Sequence, residues 1–469
     1  MRRAAEALVA RGHKATFVYH LLHRADAQNR TVLAQLRELE AAGVCEPSEI
    51  VGAVGAGASG VAAGGRRRSL REWVQAHPAI RLSLRALRVH VAVRALALAF
   101  VPQQYVARRR RYRAWLRRTK PDIIVLPEDV VGYVTPLVIL AGHDLGIPSL
   151  ILPYTMANQL EAFQSLKSNP AYSLDSPSNR LAGLLFPSWV MRRDGAAVLR
   201  LPAPYVIGHA VTGTAPPDPW MMNSGFANRI AVENQVMLDY YTQAGIPASK
   251  LEVVGALSDD DLARQRAEKP QALARLKAEL GISGDLPLLL IGGCPNQLGV
   301  APGFDFAGYD EMVAHMLGCL EPLRQHYIIL MRPHPNFVEL RSTFEARGIR
   351  CSMLETARLV ALSDVYIAFA SATLRWAVAC GIPSINYDAF HYDYGDYKAA
   401  PGVLNVSRPE EFRQAVAQLA PSSDAYRALL AASKGEQGRW GRLDGRSAER
   451  IEGLIERLCA ERPAPRTAA

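Results

Sequence analysis

The sequence predicts a two-domain α/β protein built on doubly wound parallel sheets, and three observations carry that expectation. The chain has 469 residues, too many for a single core when domains run to roughly 100–200 residues. Its composition, 49% hydrophobic and 21% charged, is that of an ordinary globular chain. Its apolar runs are short, continuous and separated by helical sequence, the pattern of strands buried on both faces of a parallel sheet.

The elements follow in order. The chain opens on an amphipathic helix stopped at Gly12, then a strand over residues 14–20. A doubly wound domain ordinarily starts with a strand and a glycine-rich turn ahead of such a helix; no such strand is read here, so either the start is mis-assigned or the domain closes its sheet differently. Residues 53–65 are Gly/Ala-rich and read as a loop, and residues 66–120 read as basic helices broken near Pro102. Strands follow at 122–126 (DIIVL), 149–153 (SLILP) and 229–232 (RIAV), with residues 164–225, rich in Pro, Ser, Asn and Trp, reading as long loops over the site. A helix ending near Gly245 and a short strand to Val254 close this half. A charged helix over 259–280 then leads to strands at 286–293, 326–335, 364–370 and 383–388. The expected division is an N-terminal domain over 1–255 with the basic insertion 66–120, a C-terminal domain over 256–420, and a helical tail over 421–469. Two such domains leave a cleft between them, and open α/β sheets bind ligands beyond the carboxyl ends of their strands.

The formal charge of +10 is local in origin. Between Arg66 and Lys120 stand 16 Lys/Arg and one acid, Glu72. Arg81, Arg85 and Arg88 fall on one helical face, and RRRRYRAWLRR (108–118) interleaves Tyr112 and Trp115 with arginines. Such a segment fits an anionic membrane surface, with the aromatics at headgroup level. Nucleic acid is the rival partner, but no nucleic-acid-binding motif accompanies the segment and none is expected to bind. The six cysteines lie far apart without a C-x-x-C pair, which points to reduced thiols rather than a zinc site or a disulfide framework. No signal-peptide pattern stands at the start, and the apolar stretch 89–101 carries Arg94 and is too short to span a bilayer. The expected place is the cytoplasm, peripherally on the inner face of the cytoplasmic membrane.

Candidate site residues gather at strand ends. In ILMRPHPN, Arg332, His334 and Pro335 follow a buried strand, where guanidinium and imidazole can donate to phosphate oxygens and the prolines stiffen the loop. In AFASATLRWAVACGIPSINYD, a small-residue turn leads to a helix starting near Thr373, with Ser371 as its cap; Ser371, Ala372 and Thr373 offer an anion site. Gly293 and Asn296 follow the first strand of this half, where glycine lets backbone approach a ligand. Asp388, His391, Tyr392, Asp393 and Tyr394 offer groups to base, ribose or sugar. In the N-terminal half, Glu128 and Asp129 follow the strand DIIVL and are expected to project into the same cleft. One of them would take the proton of an acceptor hydroxyl, helped by a pKa that its like-charged neighbour raises.

The run RPHP, then SAT at a strand end, then CGIPSINYD, resembles the nucleotide-binding half of GT-B glycosyltransferases, over roughly residues 229–400. It is similar to bacterial sialyl- and Kdo-type transferases with an HP motif, and to the non-hydrolysing UDP-N-acetylglucosamine 2-epimerases. The resemblance implies two Rossmann-like domains facing a cleft, with His334, Ser371 and Thr373 on donor phosphate. It departs at the acid pair, where Val130 replaces the glycine that follows in those families and Gly132 comes two residues later. The expected activity is inverting, metal-independent transfer of a sugar to a glycan or lipid-linked acceptor in bacterial surface polysaccharide synthesis. The donor would be a nucleotide sugar, a CMP-activated acidic sugar ahead of a UDP-sugar, with no further cofactor. The alternative is a sugar-nucleotide 2-epimerase.

Overall fold

A computed structural model describes residues 2–21, 27–52, 89–293, 296–299, 301–334 and 340–462. The chain divides into two compact units, residues 1–107 with 207–212, and residues 108–206 with 213–469. Residue 255, the expected boundary, lies within the second unit, which holds the strands on both sides of it.

In the first unit, the helix Arg2–Val9 ends ahead of Gly12, whose φ of 92° turns the chain. Strand β1 (Thr16–Leu21) pairs in parallel with β2 (Glu46–Gly52) across the helix Ala27–Ala41. Among the described residues these two strands form a sheet of their own. The helix Val89–Thr119 runs unbroken through Pro102, against the expected break. Its Val101, Tyr105, Tyr112 and Leu116 are buried along one side, with Tyr105 stacked on His209 at 4.3 Å between ring centroids. Tyr112, placed at headgroup level by the sequence, therefore faces inward, and Arg110, Arg111, Arg117 and Arg118 lie exposed. Residues 66–88 lie outside the described residues. Among those described, no helix is long and apolar enough to cross a membrane.

The second unit holds β3 (Ile124–Leu126), β4 (Ser149–Ile151), the antiparallel hairpin β5 (Val190–Arg193) and β6 (Ala196–Leu199), β7 (Arg229–Val232) and β8 (Leu251–Val253). Of these, β3-β4-β7-β8, in that order, make a parallel sheet. The region 164–225 is structured rather than looped: helices Pro177–Leu185 and Ala203–Val211 flank the hairpin, and Trp189, Val198, Leu199, Val206 and Trp220 are buried. The charged helix expected over 259–280 is two, Leu257–Ala267 and Lys269–Glu279. Pro270 lacks an N–H to continue the first helix but suits the first turn of the second.

The remaining strands are β9 (Leu288–Gly292), β10 (Ile328–Arg332), β11 (Arg350–Cys351), β12 (Val365–Ala368), β13 (Ser384–Tyr387) and β14 (Val403–Val406). They form one parallel sheet in the order β11-β10-β9-β12-β13-β14. Alternate residues enter different cores: Leu288, Leu290, Leu330 and Tyr366 one, Leu289, Ile291, Ile329 and Ile367 the other. That accounts for the unbroken apolar runs, since both pleat faces are covered. The strand order reverses between β9 and β12, and ligands of such sheets lie in the crevice that this reversal opens. The expected pair of parallel α/β sheets is thus present in this unit.

Two features join these sheets. The tail helices Asp424–Trp440 and Ser447–Ala460 return to the first sheet, where Arg450 Nε donates to the Val254 carbonyl at 2.7 Å. Asp260 accepts the amides of Ser447 and Ala448, both at 2.8 Å, at the start of the last helix. The second feature is an enclosed charge. Arg375 is buried and donates to Asp259 at 2.9 Å, Ser258 at 3.0 Å and the Trp440 carbonyl at 3.2 Å. Glu233, just past β7, is buried close enough to sense both charges, and burial pushes its pKa to about 7, with Arg375 opposing and Asp259 adding to the shift.

Candidate functional site

The crevice between β9 and β12 is built from small residues and hydroxyls. Gly293 has to be glycine, because a Cβ there would lie 2.5 Å from the His334 backbone nitrogen. It thus lets the His334 backbone approach the end of β9. Gly292 likewise leaves room for the phenol of Tyr366, which reaches Thr373 Oγ1 at 2.7 Å. Ser371 Oγ lies 2.9 Å from the same Thr373 hydroxyl and accepts the Thr373 amide at 3.3 Å. The turn is sharp: Ala370 stands at φ 42°, a left-handed conformation uncommon outside glycine.

The helix that follows, Leu374–Ala379, has six residues. Its first amides are already satisfied, Leu374 by the Ser371 carbonyl at 3.1 Å and Arg375 by the Tyr397 hydroxyl at 3.2 Å. The donors left at this turn are the amides of Ser371 and Ala372, which have no hydrogen-bond partner among the described residues, with the hydroxyl pair beside them. Tyr397 also donates to the Ser371 carbonyl at 3.1 Å, fixing the turn from below.

Arg332 and His334 divide in role. Arg332, the last residue of β10, sends Nε to the Leu354 carbonyl at 2.7 Å and Nη1 to the Pro333 carbonyl. Two faces of its guanidinium are therefore spent on backbone, which corrects the picture of an arginine open to the crevice. His334 is half-buried, and burial together with the nearby Arg332 charge lowers its pKa below the usual histidine range. Pro335 lies outside the described residues. Asn296 is exposed and its side chain accepts the Leu298 amide at 3.2 Å. Asp388 is also a local organiser, its two oxygens accepting the amides of Tyr392 at 2.9 Å and Asp393 at 2.7 Å. His391 pairs with Asp305 at 3.1 Å beside a groove of about 720 Å³ that Arg408 and Arg413 also line.

The acid pair after β3 separates. Asp129 has 0% exposure, accepts the Phe226 amide on Oδ2 at 3.0 Å, and donates its own amide to Asn223 Oδ1 at 3.2 Å. Lys250 pins the same loop through the Gly225 and Ala227 carbonyls. Burial raises the Asp129 pKa to about 7, against the lowering effect of the Phe226 amide, Ser224 and Lys250. The structure thus encloses this carboxyl, where the sequence placed it projecting into the cleft. Glu128 is half-buried, and Tyr154 donates to its Oε2 at 3.4 Å. Burial raises the Glu128 pKa, the Tyr154 bond lowers it, and the Glu161 charge raises it further.

Residues that the sequence did not single out complete this end. Asn158, past β4, caps the helix Gln159–Leu166 and donates to the Tyr394 carbonyl at 3.1 Å and to Asp396. The loops after β4 and β13 therefore touch, bringing the carboxyl ends of the two sheets together. Asp396 has its pKa raised to about 6, chiefly by burial and also by Glu161, and Tyr392 stacks on Tyr394 at 5.0 Å. Glu128, Glu161 and Asp396 thus make a group of carboxyls that hold protons more tightly than in water, edged by phenols. Chemically, such raised carboxyls suit proton transfer.

No protein family matches the chain, and no curated protein matches it. Among solved structures it is similar to the wall teichoic acid polymerase TagF soaked with CDPG, at 14% identity and TM-score 0.39 over 51% of this chain and 59% of that one. It is similar to a UDP-GlcNAc 2-epimerase from Neisseria meningitidis bound to UDP-GlcNAc, at 12% identity and TM-score 0.46 over 95% of this chain and 100% of that one. A third is the UDP-GlcNAc 2-epimerase of Methanocaldococcus jannaschii with UDP-GlcNAc and UDP, at 13% identity and TM-score 0.42 over 76% and 82%. The chain spans less than two thirds of the TagF chain it matches. All three likenesses are faint, and none bears on what this chain binds or does.

Proposed function

We propose that the chain is an inverting glycosyltransferase that takes a sugar from a nucleotide donor held in the β9/β12 crevice. The observation that carries this reading is the strand-order reversal itself. At that point Ser371 and Ala372 leave two amides unspent beside the hydroxyls of Ser371 and Thr373, with Gly293 seating His334 against β9. Backbone amides and hydroxyls in a half-buried crevice suit phosphate oxygens. They and His334 are the groups that would meet the negative charge developing on a leaving phosphate, without assistance from a metal. Glu128, raised in pKa and reached by Tyr154, is the general base for the acceptor hydroxyl. A CMP-activated acidic sugar is the preferred donor and a UDP-sugar the next. The acceptor is a glycan or lipid-linked glycan of a bacterial surface polysaccharide, met at the cytoplasmic face of the membrane through the exposed arginines of 108–118.

A 2-epimerase is the second reading, and one observation favours it: Glu128, Glu161 and Asp396 supply several proton-holding carboxyls where the two sheets meet. Incubation with CMP- and UDP-sugars separates the readings. Release of free nucleotide, accelerated by a lipid-linked or glycan acceptor, is the outcome expected of a transferase. Interconversion of the intact sugar nucleotide without release would replace it with the epimerase.

A further inference from the structure

The helix Pro177–Leu185 is inside out for a globular protein. Its inward residues are small or polar, Asn179 and Ala182 being buried, and a Cβ on Gly183 would lie 2.9 Å from Val190. Its large apolar residues point to solvent: Leu181 is 57% exposed, Leu184 76% and Leu185 61%. At spacings of three and four residues these leucines share one face. The orientation is fixed and not slack. Asn179 Nδ2 donates to the Ala171 and Ser173 carbonyls, both at 2.9 Å, and its Oδ1 accepts the Ala203 amide at 3.0 Å. Rolling the leucines inward would break three hydrogen bonds and drive bulk into the space that Ala182 and Gly183 fill.

A face of this kind has to be covered by something apolar. The charge around it points to the partner: between Asp175 and Asp194, which flank it, the chain carries Arg180, Arg192 and Arg193. Arg180 and Arg192 are exposed, while Arg193 pairs with Asp194 and Asp393. Apolar side chains to bury with guanidiniums beside them are what the boundary between acyl chains and anionic headgroups accepts. We infer that the Pro177–Leu185 helix is an interfacial anchor, inserting Leu181, Leu184 and Leu185 into an anionic lipid surface while Arg180 and Arg192 meet its headgroups. The inference deepens, and rests on, the membrane part of the proposed function, and it adds a contact of different physics. The arginines of the long helix attract through charge and are screened by salt, whereas buried leucine is not.

The test is cosedimentation of the full chain with vesicles of phosphatidylcholine, with and without phosphatidylglycerol, across a salt series. The wild-type protein is expected to show a salt-resistant part of its binding to the anionic vesicles. The triple variant Leu181→Ser/Leu184→Ser/Leu185→Ser should lose that part and bind about tenfold or more weakly overall, a factor that burial of one leucine already supplies. Its melting temperature should change little, since more than half of each leucine is exposed. A single Leu184→Trp variant should keep binding and gain emission that shifts to the blue on vesicles and is quenched by brominated lipid. Replacing Arg110, Arg111, Arg117 and Arg118 with Gln should remove only the salt-sensitive part, so failure there indicts the basic segment and not the anchor. Equal binding by the triple variant and wild type overturns the anchor. It is also overturned if wild type ignores vesicles but forms a dimer that the triple variant cannot, because the face then covers a second copy.

Discussion

The ends of the two sheets in the second unit treat their polar groups in opposite ways. Past β3 the chain spends them on itself: Asp129 is enclosed by the 223–226 loop that Lys250 pins, and Glu128 is left as the carboxyl of the pair within reach of solvent. Past β12 the chain leaves them open, with two amides and a pair of hydroxyls at Ser371–Thr373. An end closed by buried charge serves as a rigid wall carrying a single base, and an open end serves as a ligand seat. The lesson is that two adjacent acids in a sequence need not share an environment, because Asp129 finds its partner at distant Phe226 and Glu128 finds its own at Tyr154.

The largest effect should come from breaking the enclosed charge that holds the open turn in place. Arg375→Met leaves Asp259 buried without its cation, which costs about 3–5 kcal/mol and should appear as a large fall in thermal or urea stability. Next is the contrast within the acid pair. Glu128→Gln should keep donor affinity and lose turnover by about 100-fold, whereas Asp129→Asn should turn over near the wild-type rate. A large loss in Asp129→Asn with Glu128→Gln unaffected would invert the comparison.

A third effect is on pH. Asp129 and Glu233 are held near 7 in the fold against about 4 in the unfolded chain. The folded state thus binds more protons between these values. The stability that each contributes is present below about pH 4 and is lost as pH rises through about 7. Glu233→Gln should flatten that decline and leave the variant more stable than wild type by roughly 2–3 kcal/mol at pH 8. Urea titrations at pH 5 and pH 8 measure it, and an unchanged slope in the variant would place the missing proton elsewhere.

The strands were legible where burial is two-sided. The runs at 286–293, 326–335, 364–370 and 383–388 each contain the observed strand, because covered pleats leave no polar residue to interrupt the pattern. The region 164–225 was not legible. Trp189, Val198, Leu199 and Val206 anchor it, but they are spaced irregularly among prolines and serines and keep neither helical nor strand period for long. The division into units was hidden too, since nothing in the long helix sequence marks the change at Ala107. At the site, strand ends with Ser, Thr and His could be read because they follow from topology. The enclosure of Asp129, the turning of Arg332 onto Leu354 and the meeting of Asn158 with Asp396 could not, being contacts between distant segments.

The central claim is that the β9/β12 crevice seats a nucleotide through His334 and the Ser371 turn. Calorimetric titration of CMP, CDP, UDP and GDP into wild type, His334→Ala and Ser371→Ala tests it most directly. The account predicts that at least one nucleotide binds wild type. His334→Ala should weaken it by about 1.5–3 kcal/mol and Ser371→Ala by about 0.5–1.5 kcal/mol, the worth of a charged and a neutral hydrogen bond, in variants that melt like wild type. Absence of binding by every nucleotide, or an affinity identical in wild type and both folded variants, would contradict it.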